Sequence, residues 1–197
     1  TLVVGYRKHL LIEAAEAHNP GLNLHFVSND EYEEKGNGYS LFMGIEAVEA
    51  PCMIFDADLV YSTEILQRFT HSPEESAVLV GAGSLDDIEC AKTLVDEHNL
   101  VRKTVDKRAV TQEELDLHRF AGEAMGVLKF SRSHRDALLV MARDFFADPE
   151  NLLLNWEHLM SRFLLEQDVH CHFEESNDWV EIDTPEDYQQ ARDLFSA

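Results

Sequence analysis

A short apolar run that ends in two carboxylates constrains this chain more than any other stretch. The run is Cys52–Phe55, and Asp56 and Asp58 come just after it. An apolar run of this length between turn-prone residues predicts a strand that is buried on both faces. Open α/β sheets bind their ligands beyond the carboxyl ends of such strands. Because side chains at i and i+2 of an extended segment point to one side, both carboxylates are placed to face one crevice.

The pair formed by Asp56 and Asp58 has two interpretations. Proteins hold hard divalent cations such as Mg²⁺ with one or two carboxylates together with substrate phosphates, and this pair suits that role. The alternative is a solvated Asp-x-Asp turn after a strand, because Asp is common in turns. Taken alone, these residues favour the turn.

Strand-like and helix-like segments alternate along the chain at the spacing of βαβ units. Predicted strands occupy residues 1–6, 24–28, 52–55, 77–80, 122–130, 169–173 and 179–182. Predicted helices occupy residues 7–18, 40–49 with Ser40 as N-cap, 62–70, 131–146, 155–166, and 185 nearly to the C-terminus. Two alternating runs, 91–95 and 100–105, flank a turn-like segment and predict a hairpin. We therefore expect one α/β domain over residues 1–197, with a mostly parallel sheet, helices on both faces and a small antiparallel insertion.

The charge balance argues against several kinds of partner. The chain has 38 acidic and 16 basic residues, for a net charge of -22. A surface of this charge disfavours nucleic acid and anionic membranes. The three cysteines are widely spaced without a CxxC pair, which is typical of a reducing compartment. No apolar stretch approaches the ~20 residues of a membrane helix and no signal peptide is visible, so we expect a cytoplasmic protein.

A second acidic stretch follows the last predicted strand. Asp183 lies between the end of that strand and the helix start Thr184-Pro185-Glu186-Asp187. It is therefore placed to share a crevice with Asp58. Two carboxylates from separate strand ends can hold one Mg²⁺ and leave positions open for phosphate oxygens. The alternative is that Asp183 caps the final helix, and taken alone this is the stronger interpretation.

Two other segments carry polar groups that suit a ligand. Asn37, Gly38 and Ser40 precede a predicted helix and offer backbone N–H groups, an amide and a hydroxyl to a nucleotide base or phosphate. An ordinary glycine loop with a serine N-cap is the alternative. Glu123 lies in an otherwise apolar strand, where a buried carboxylate needs a cation, a ligand hydroxyl or a basic side chain. A structural salt bridge explains Glu123 equally well.

Taken together and in order, these segments resemble the nucleotidyltransferase superfamily that makes nucleotide-activated sugars and alcohols. The matching segments are Val3-Val4-Gly5-Tyr6, Asn37-Gly38-Tyr39-Ser40-Leu41, Phe55-Asp56-Ala57-Asp58, Gly122-Glu123-Ala124-Met125-Gly126-Val127-Leu128-Lys129-Phe130 and Trp179-Val180-Glu181-Ile182-Asp183-Thr184-Pro185-Glu186-Asp187. Within the superfamily, the chain is most similar to small cytidylyltransferases that act on phosphocholine or on phosphonates such as 2-aminoethylphosphonate. The likeness runs in register over nearly the whole chain.

The resemblance implies a Rossmann-like nucleotidyltransferase sheet and a reaction with CTP that depends on Mg²⁺. Asp58 and Asp183 are then the catalytic residues, because they hold the metal ion on the nucleotide phosphates. Asn37, Gly38 and Ser40 lie near the nucleotide. An oxygen of the acceptor attacks the α-phosphorus of CTP and pyrophosphate leaves.

The resemblance also implies an acceptor side. Glu123 and Glu181 face it, and Asp56 either supports Asp58 or faces the acceptor as well. Acidic residues there suit a cationic amine head group, and Trp179 adds a cation–π contact. The partners are then a nucleoside triphosphate, CTP above all, and a small phosphate or phosphonate acceptor.

The chain departs from the family pattern at its start. The family begins with a strand and a Gly-rich loop with a basic residue, followed by a Pro-Lys segment, and these hold the triphosphate. The chain opens at what corresponds to a later strand. We therefore expect the missing strand and loop to precede Thr1, and we expect residues 1–197 alone to be inactive.

Two alternatives stay open at the level of sequence. One is a sugar-1-phosphate nucleotidyltransferase that uses another nucleoside triphosphate, and the other is a non-catalytic binding domain of the same fold. The residues identify neither the acceptor nor the oligomeric state, for which a homodimer is one option.

Overall fold

The computed structural model describes residues 1–195, which form a mixed set of helices and strands. The strands are β1 (Leu2–Val4), β2 (Phe26–Ser28), β3 (Cys52–Phe55), β4 (Leu59–Tyr61), β5 (Ala77–Gly81), β6 (Lys92–Val95), β7 (Val101–Val105), β8 (Arg119–Phe130), β9 (His170–Phe173) and β10 (Trp179–Glu181). The α-helices are α1 (Lys8–His18), α2 (Asn37–Glu46), α3 (Thr63–His71), α4 (Gln112–Leu117), α5 (Arg132–Phe145), α6 (Trp156–Glu166) and α7 (Pro185–Phe195). None of the described helices combines the length and the apolar character that crossing a membrane requires.

The chain forms two compact units. The first, here called the N-terminal unit, contains Thr1–Pro51 and Arg132–Phe163, and the second, here called the sheet unit, contains Cys52–Ser131 and the segment from Leu164 onward. The prediction of one domain over residues 1–197 stays a prediction.

In the N-terminal unit, β1 and β2 form a parallel pair, with Leu2 opposite Phe26. Helix α2 packs against β1 and α5. Three aromatic rings form its interior contact: Tyr39 and Phe42 each lie against Phe146, with ring centroids 5.4 Å and 5.9 Å away. Burial of large aromatic surface of this kind is a major source of packing energy.

Helix α2 begins earlier than the sequence predicts. Its first residue is Asn37 and its N-cap is Gly36, so Ser40 lies within the first turn and is not the cap. The reason is close packing at this end of the helix. A Cβ atom added to Gly38 would lie 2.5 Å from the carbonyl oxygen of Leu154, and the amide of Gly36 donates to the carbonyl of Leu152 at 2.9 Å. Only a residue without a side chain allows this approach.

The sheet unit contains a six-stranded sheet with the order β7-β6-β8-β5-β9, and β3 pairs with β8 beside this path. The predicted α/β class is confirmed, but the sheet is not mostly parallel. Among the described strand pairs, β1–β2 and β5–β9 are parallel, and the other five are antiparallel. The cause is β8, which spans 12 residues and runs antiparallel to β3, β5 and β6.

Strand β3 also differs from its prediction. Its first three residues are half-buried and Phe55 is 46% exposed, so the strand is not buried on both faces. Its partner among the described strand pairs is β8.

The predicted hairpin between residues 91 and 105 is confirmed. Strands β6 and β7 are antiparallel, and the turn between them is held by Asp96. One carboxylate oxygen of Asp96 accepts from the amides of His98 and Leu100 at 2.9 and 3.0 Å, and the other accepts from Arg102 at 2.8 Å. Asp in such turns replaces the backbone acceptor that a tight turn lacks.

Glu114 is the most extensively bonded carboxylate described in the sheet unit. It completes a capping box with Thr111 at the start of α4 and accepts from Arg108 at 2.7 and 3.0 Å and from Lys103 at 2.6 Å. Its side chain is 12% exposed. The hydrogen bonds from Arg108, then those from Lys103 and Thr111, hold the pKa of Glu114 well below its ordinary value, against the opposing effect of burial.

We predict that Glu114→Gln lowers the free energy of unfolding at pH 7 by about 1–2 kcal/mol, because charged hydrogen bonds are lost. A carboxylate with a depressed pKa stabilises the fold above the ordinary pKa of Glu, about 4.3, and loses that contribution as pH falls further. The difference between wild type and variant should therefore narrow in acid. Urea unfolding at several pH values measures it. Glu113→Gln, an exposed neighbour in the same helix, is the control and should change little. A pH-independent difference would contradict this account.

Candidate functional site

Three carboxylates meet on the sheet unit. One oxygen each from Asp58, Glu181 and Asp183 lies within 4.8 Å of the other two, and all three residues are exposed. They form the one group of at least three potential metal ligands found among the described residues. We call these three residues the acidic group.

The pairing of β4 with β10 brings the acidic group together. The two strands are antiparallel, with Leu59 opposite Glu181, so the beginning of β4 lies beside the end of β10. The amide of Ile182 donates to the carbonyl oxygen of Asp58 at 2.8 Å. Asp58 and Asp183 therefore converge, as the sequence predicts, but through a two-stranded antiparallel ribbon and not through neighbouring parallel strands.

The start of α7 leaves the Asp183 carboxylate out of the helix cap. The hydroxyl of Thr184 accepts from the amide of Asp187 at 3.2 Å, and a carboxylate oxygen of Asp187 accepts from the amide and the hydroxyl of Thr184, each at 2.8 Å. The same oxygen accepts from the amide of Asp183 at 3.2 Å. The predicted capping arrangement of Thr184 and Asp187 is thus present. It holds the backbone of Asp183 while the side chain of that residue joins the acidic group.

Like charges dominate the electrostatics of the acidic group. Although Glu181 is exposed, the protein displaces part of the water around its carboxyl group, which raises its pKa, and the charges of Asp183, Asp58 and Glu123 raise that pKa further. The charge of Lys107 acts in the opposite direction and lowers it. Three carboxylates this close repel one another unless a cation lies between them. The donor set consists of exposed oxygens alone, which fits the preference of Mg²⁺ for carboxylates and water.

Asp56 is not part of the acidic group. Its amide donates to the carbonyl oxygen of Gly126 at 3.0 Å, which fixes the backbone at the start of the loop that carries Asp58. Its carboxylate lies against Gly126, where an added Cβ atom would be 2.8 Å from Oδ2. The structure therefore places Asp56 against Gly126 of β8, at the start of the loop that carries Asp58.

Glu123 lies on β8 with structural partners of its own. Burial raises the pKa of its carboxyl group, while a hydrogen bond with the Cys90 thiol and the charge of Lys92 lower it. Lys92 is directly opposite Glu123 across the β6–β8 pair, is fully buried, and donates to the carbonyl of Cys90 at 2.8 Å. Since Glu123 influences Glu181, it lies in the electrostatic neighbourhood of the acidic group.

Trp179 is largely a packing residue in this structure. It is partly buried against the core cluster of Ile65, Phe69, Ala77, Leu79, Met125 and Val127. It pairs with Tyr61 across β4 and β10.

Asn37, Gly38 and Ser40 lie in the first turn of α2, in the N-terminal unit. The side-chain oxygens of Asn37 and Ser40 accept hydrogen bonds from other protein groups. Asn37 Oδ1 accepts from the amide of Trp156 at 3.1 Å, and Ser40 Oγ accepts from the side-chain amide of Asn29 at 3.0 Å. The predicted roles of these residues beside a nucleotide stay predictions.

Sequence reasoning missed two residues, Tyr61 and Lys107. The hydroxyl of Tyr61 donates to the carbonyl of Met125 at 2.7 Å. Burial, followed by the charges of Asp56 and Asp58, raises the pKa of this hydroxyl, so it is protonated at neutral pH. Lys107 has a left-handed backbone with φ of 46°. The hydrogen bond of Tyr61 with Met125 and the influence of Lys107 on Glu181 have no local sequence signal, because both join residues that are distant along the chain.

Comparison with solved structures shows what the fold resembles. The chain superimposes on CTP:phosphocholine cytidylyltransferase from Streptococcus pneumoniae with a TM-score of 0.73 and 21% identity, covering 98% of this chain and 76% of that one. The inositol-1-phosphate CTP transferase from T. maritima gives a TM-score of 0.72 and 20% identity, covering 100% and 75%. A putative glucose-1-phosphate thymidylyltransferase from Bacillus anthracis gives 0.68 and 14%, covering 98% and 74%.

The chain has the nucleotidyltransferase fold. The similarity extends over essentially the whole chain, and these neighbours include cytidylyltransferases, which confirms the resemblance found in the sequence at the level of the fold. A curated relative is CMP-5'-(3-aminopropyl)phosphonate synthase from Streptomyces rubellomurinus, 29% identical over 77 residues. That match covers 39% of this chain and 12% of the relative. No family model matches the chain.

The repulsion within the acidic group leads to a prediction for the metal-free protein. In the presence of EDTA, Glu181→Gln should raise the melting temperature slightly, because one charge leaves a crowded set; for exposed groups the effect is a few tenths of a kcal/mol. Thermal unfolding at pH 7 and low ionic strength measures it. Glu175→Gln removes an equal charge from an exposed position in the same unit and should have a smaller effect. Destabilisation by Glu181→Gln in EDTA would mean that the carboxylate has a structural role.

Proposed function

We propose that the protein is a Mg²⁺-dependent cytidylyltransferase. It transfers CMP from CTP to a small phosphorylated or phosphonate alcohol or amine, of the kind represented by phosphocholine and 2-aminoethylphosphonate, and it releases pyrophosphate. The observation that carries the proposal is the acidic group, in which Asp58, Glu181 and Asp183 meet within 4.8 Å on a nucleotidyltransferase fold. Two of the similar solved structures are named for CTP, and the curated relative is named for a CMP-phosphonate product.

The reaction is an in-line displacement at phosphorus. An oxygen of the acceptor phosphate or phosphonate attacks the α-phosphorus of CTP and forms a new P–O bond. The bond from the α-phosphorus to the bridging oxygen of the β-phosphate breaks, and pyrophosphate leaves with the electron pair. Both reactants are anions, so their approach is opposed by charge repulsion.

Asp58 and Asp183 would hold Mg²⁺ in this reaction. The bound ion supplies charge neutralisation and orientation to the phosphate oxygens. Both carboxylates come from backbone that is fixed by hydrogen bonds, Asp58 through Ile182 and Asp183 through Asp187, so neither must be ordered when the ligand arrives. A fixed arrangement of this kind lowers the entropy cost of bringing the reactants together.

The acceptor side would involve Asp56, Glu123 and Glu181, together with the partly buried ring of Trp179. Carboxylates near the acidic group favour an acceptor with a positive amine, and an aromatic face adds cation–π attraction. The start of α2 at Asn37, Gly38 and Ser40 would lie near the nucleotide, since the N-terminus of a helix favours anionic groups.

The metal assignment predicts a specific loss of divalent-cation affinity. Titration of the protein with Mn²⁺ as a probe should show one site, and Asp58→Asn and Asp183→Asn should each weaken it by about ten-fold or more. Asp116→Asn removes an exposed carboxylate of α4 and should leave the affinity unchanged. Equal affinity in all variants would show that Mn²⁺ binds to the general acidic surface.

The reaction itself is tested by pyrophosphate release from the protein as its gene encodes it. Turnover should be greatest with CTP, compared with UTP, GTP, ATP and dTTP, and should require a phosphocholine- or phosphonate-type acceptor. Asp58→Asn and Asp183→Asn should each reduce kcat by about a hundred-fold or more, because transition-state charge is no longer stabilised. Turnover with a sugar 1-phosphate and another nucleotide would assign the sugar branch of the fold instead. Retained activity in both variants would remove the metal assignment.

A further inference from the structure

The central strand β8 is irregular at Gly126. The backbone of Gly126 is left-handed, with φ of 65°, and the register between β5 and β8 shifts between Val78 and Val80. Such a shift is the mark of a β-bulge, which changes the direction of backbone groups beside it. The carbonyl groups of Gly126 and of the preceding residue, Met125, both accept hydrogen bonds from one segment.

That segment is residues 56–61, here called the Asp58 segment. At its beginning, the amide of Asp56 donates to the carbonyl of Gly126 at 3.0 Å. At its end, the hydroxyl of Tyr61 donates to the carbonyl of Met125 at 2.7 Å. Asp58 lies between the two attachments.

The second attachment is anchored in the core. Met125 is fully buried, and the ring of Tyr61 is partly buried against the same cluster. Because buried side chains are closely packed, this hydrogen bond ties the Asp58 segment to the core of the sheet unit.

The first attachment depends on glycine. A Cβ atom on residue 126 would lie 2.4 Å from Cδ1 of Leu59 and 2.8 Å from Oδ2 of Asp56, both of which belong to the Asp58 segment. The left-handed backbone adds strain for any other residue. The Asp58 segment is thus in direct contact with β8 at a position where only glycine fits.

We propose that Tyr61 is a positioning residue for the metal site. Its hydroxyl, held on the carbonyl of Met125, together with the contact at Gly126, fixes the Asp58 segment so that the Asp58 carboxylate stays close to Glu181 and Asp183. Tyr61 acts through the backbone of the Asp58 segment. The inference rests on the proposed function, because it assumes that the acidic group binds a divalent cation.

The test is Tyr61→Phe, which removes the hydroxyl and keeps the ring in the core. Mn²⁺ affinity should fall about three- to ten-fold, as expected when one buried hydrogen bond no longer holds a ligand in place. Hydrogen exchange at the amide of Asp56, measured without metal, should become faster because the segment loses one of its two attachments to β8. Gly126→Ala should weaken Mn²⁺ binding further. Because this substitution also strains the backbone of β8 and so destabilises the fold, Tyr61→Phe is the deciding variant.

The control is Ile65→Val, which weakens the same core by a similar amount and leaves both hydrogen bonds between the Asp58 segment and β8 in place. The proposal expects reduced Mn²⁺ affinity in Tyr61→Phe and unchanged affinity in Ile65→Val. Wild-type affinity in Tyr61→Phe would overturn the positioning role and leave the metal site intact. An equal reduction in both variants would overturn it too, because the loss would then follow from stability. Failure of the wild-type protein to bind Mn²⁺ would instead reject the metal site itself, and the positioning role with it.

Discussion

One backbone hydrogen bond, from the amide of Ile182 to the carbonyl of Asp58, lies at the centre of the candidate site. It extends the pairing of β4 with β10 by one step and sets the two aspartates on adjoining ends of the ribbon. The convergence of the acidic group is therefore a property of strand register. A slip of one residue would turn the side chains of one strand to the other face of the ribbon.

A ribbon of two three-residue strands is not stable in water by itself. The ribbon is stabilised by the core, because Tyr61 and Trp179, which are paired across the two strands, pack on the buried cluster that includes Phe69 and Met125. The short ribbon thus has an apolar pair, Tyr61 and Trp179, at one end and the carboxylates at the other. Repulsion among the carboxylates is tolerated because burial of the apolar pair offsets it.

Local chemistry made several elements predictable. The cap at Thr184 and Asp187, the turn at Asp96 and the alternating runs of β6 and β7 each depend on neighbours within a few residues. Strand direction was not predictable in this way. A buried apolar run has the same appearance in a parallel and an antiparallel sheet, so the threefold antiparallel pairing of β8 had no signal in the sequence. The start of α2 was misplaced because its cause, the approach of Gly38 to Leu154, is long-range. In the candidate site, the sequence indicated that Asp58 and Asp183 meet but assigned Glu181 to the acceptor side. Tyr61 and Lys107 act across distances that no motif encodes.

The pairing of Leu59 with Glu181 has a consequence for how the protein is made. Most of the chain lies between these two residues, and β8, which supports the Asp58 segment, also comes well after β4 in the order of synthesis. Contacts of such large sequence separation form late and slowly. During translation, Asp58 therefore emerges from the ribosome long before β8 and β10. An incomplete chain carries the aspartate without the surfaces that orient it, so the acidic group can assemble only after the last strand has been released.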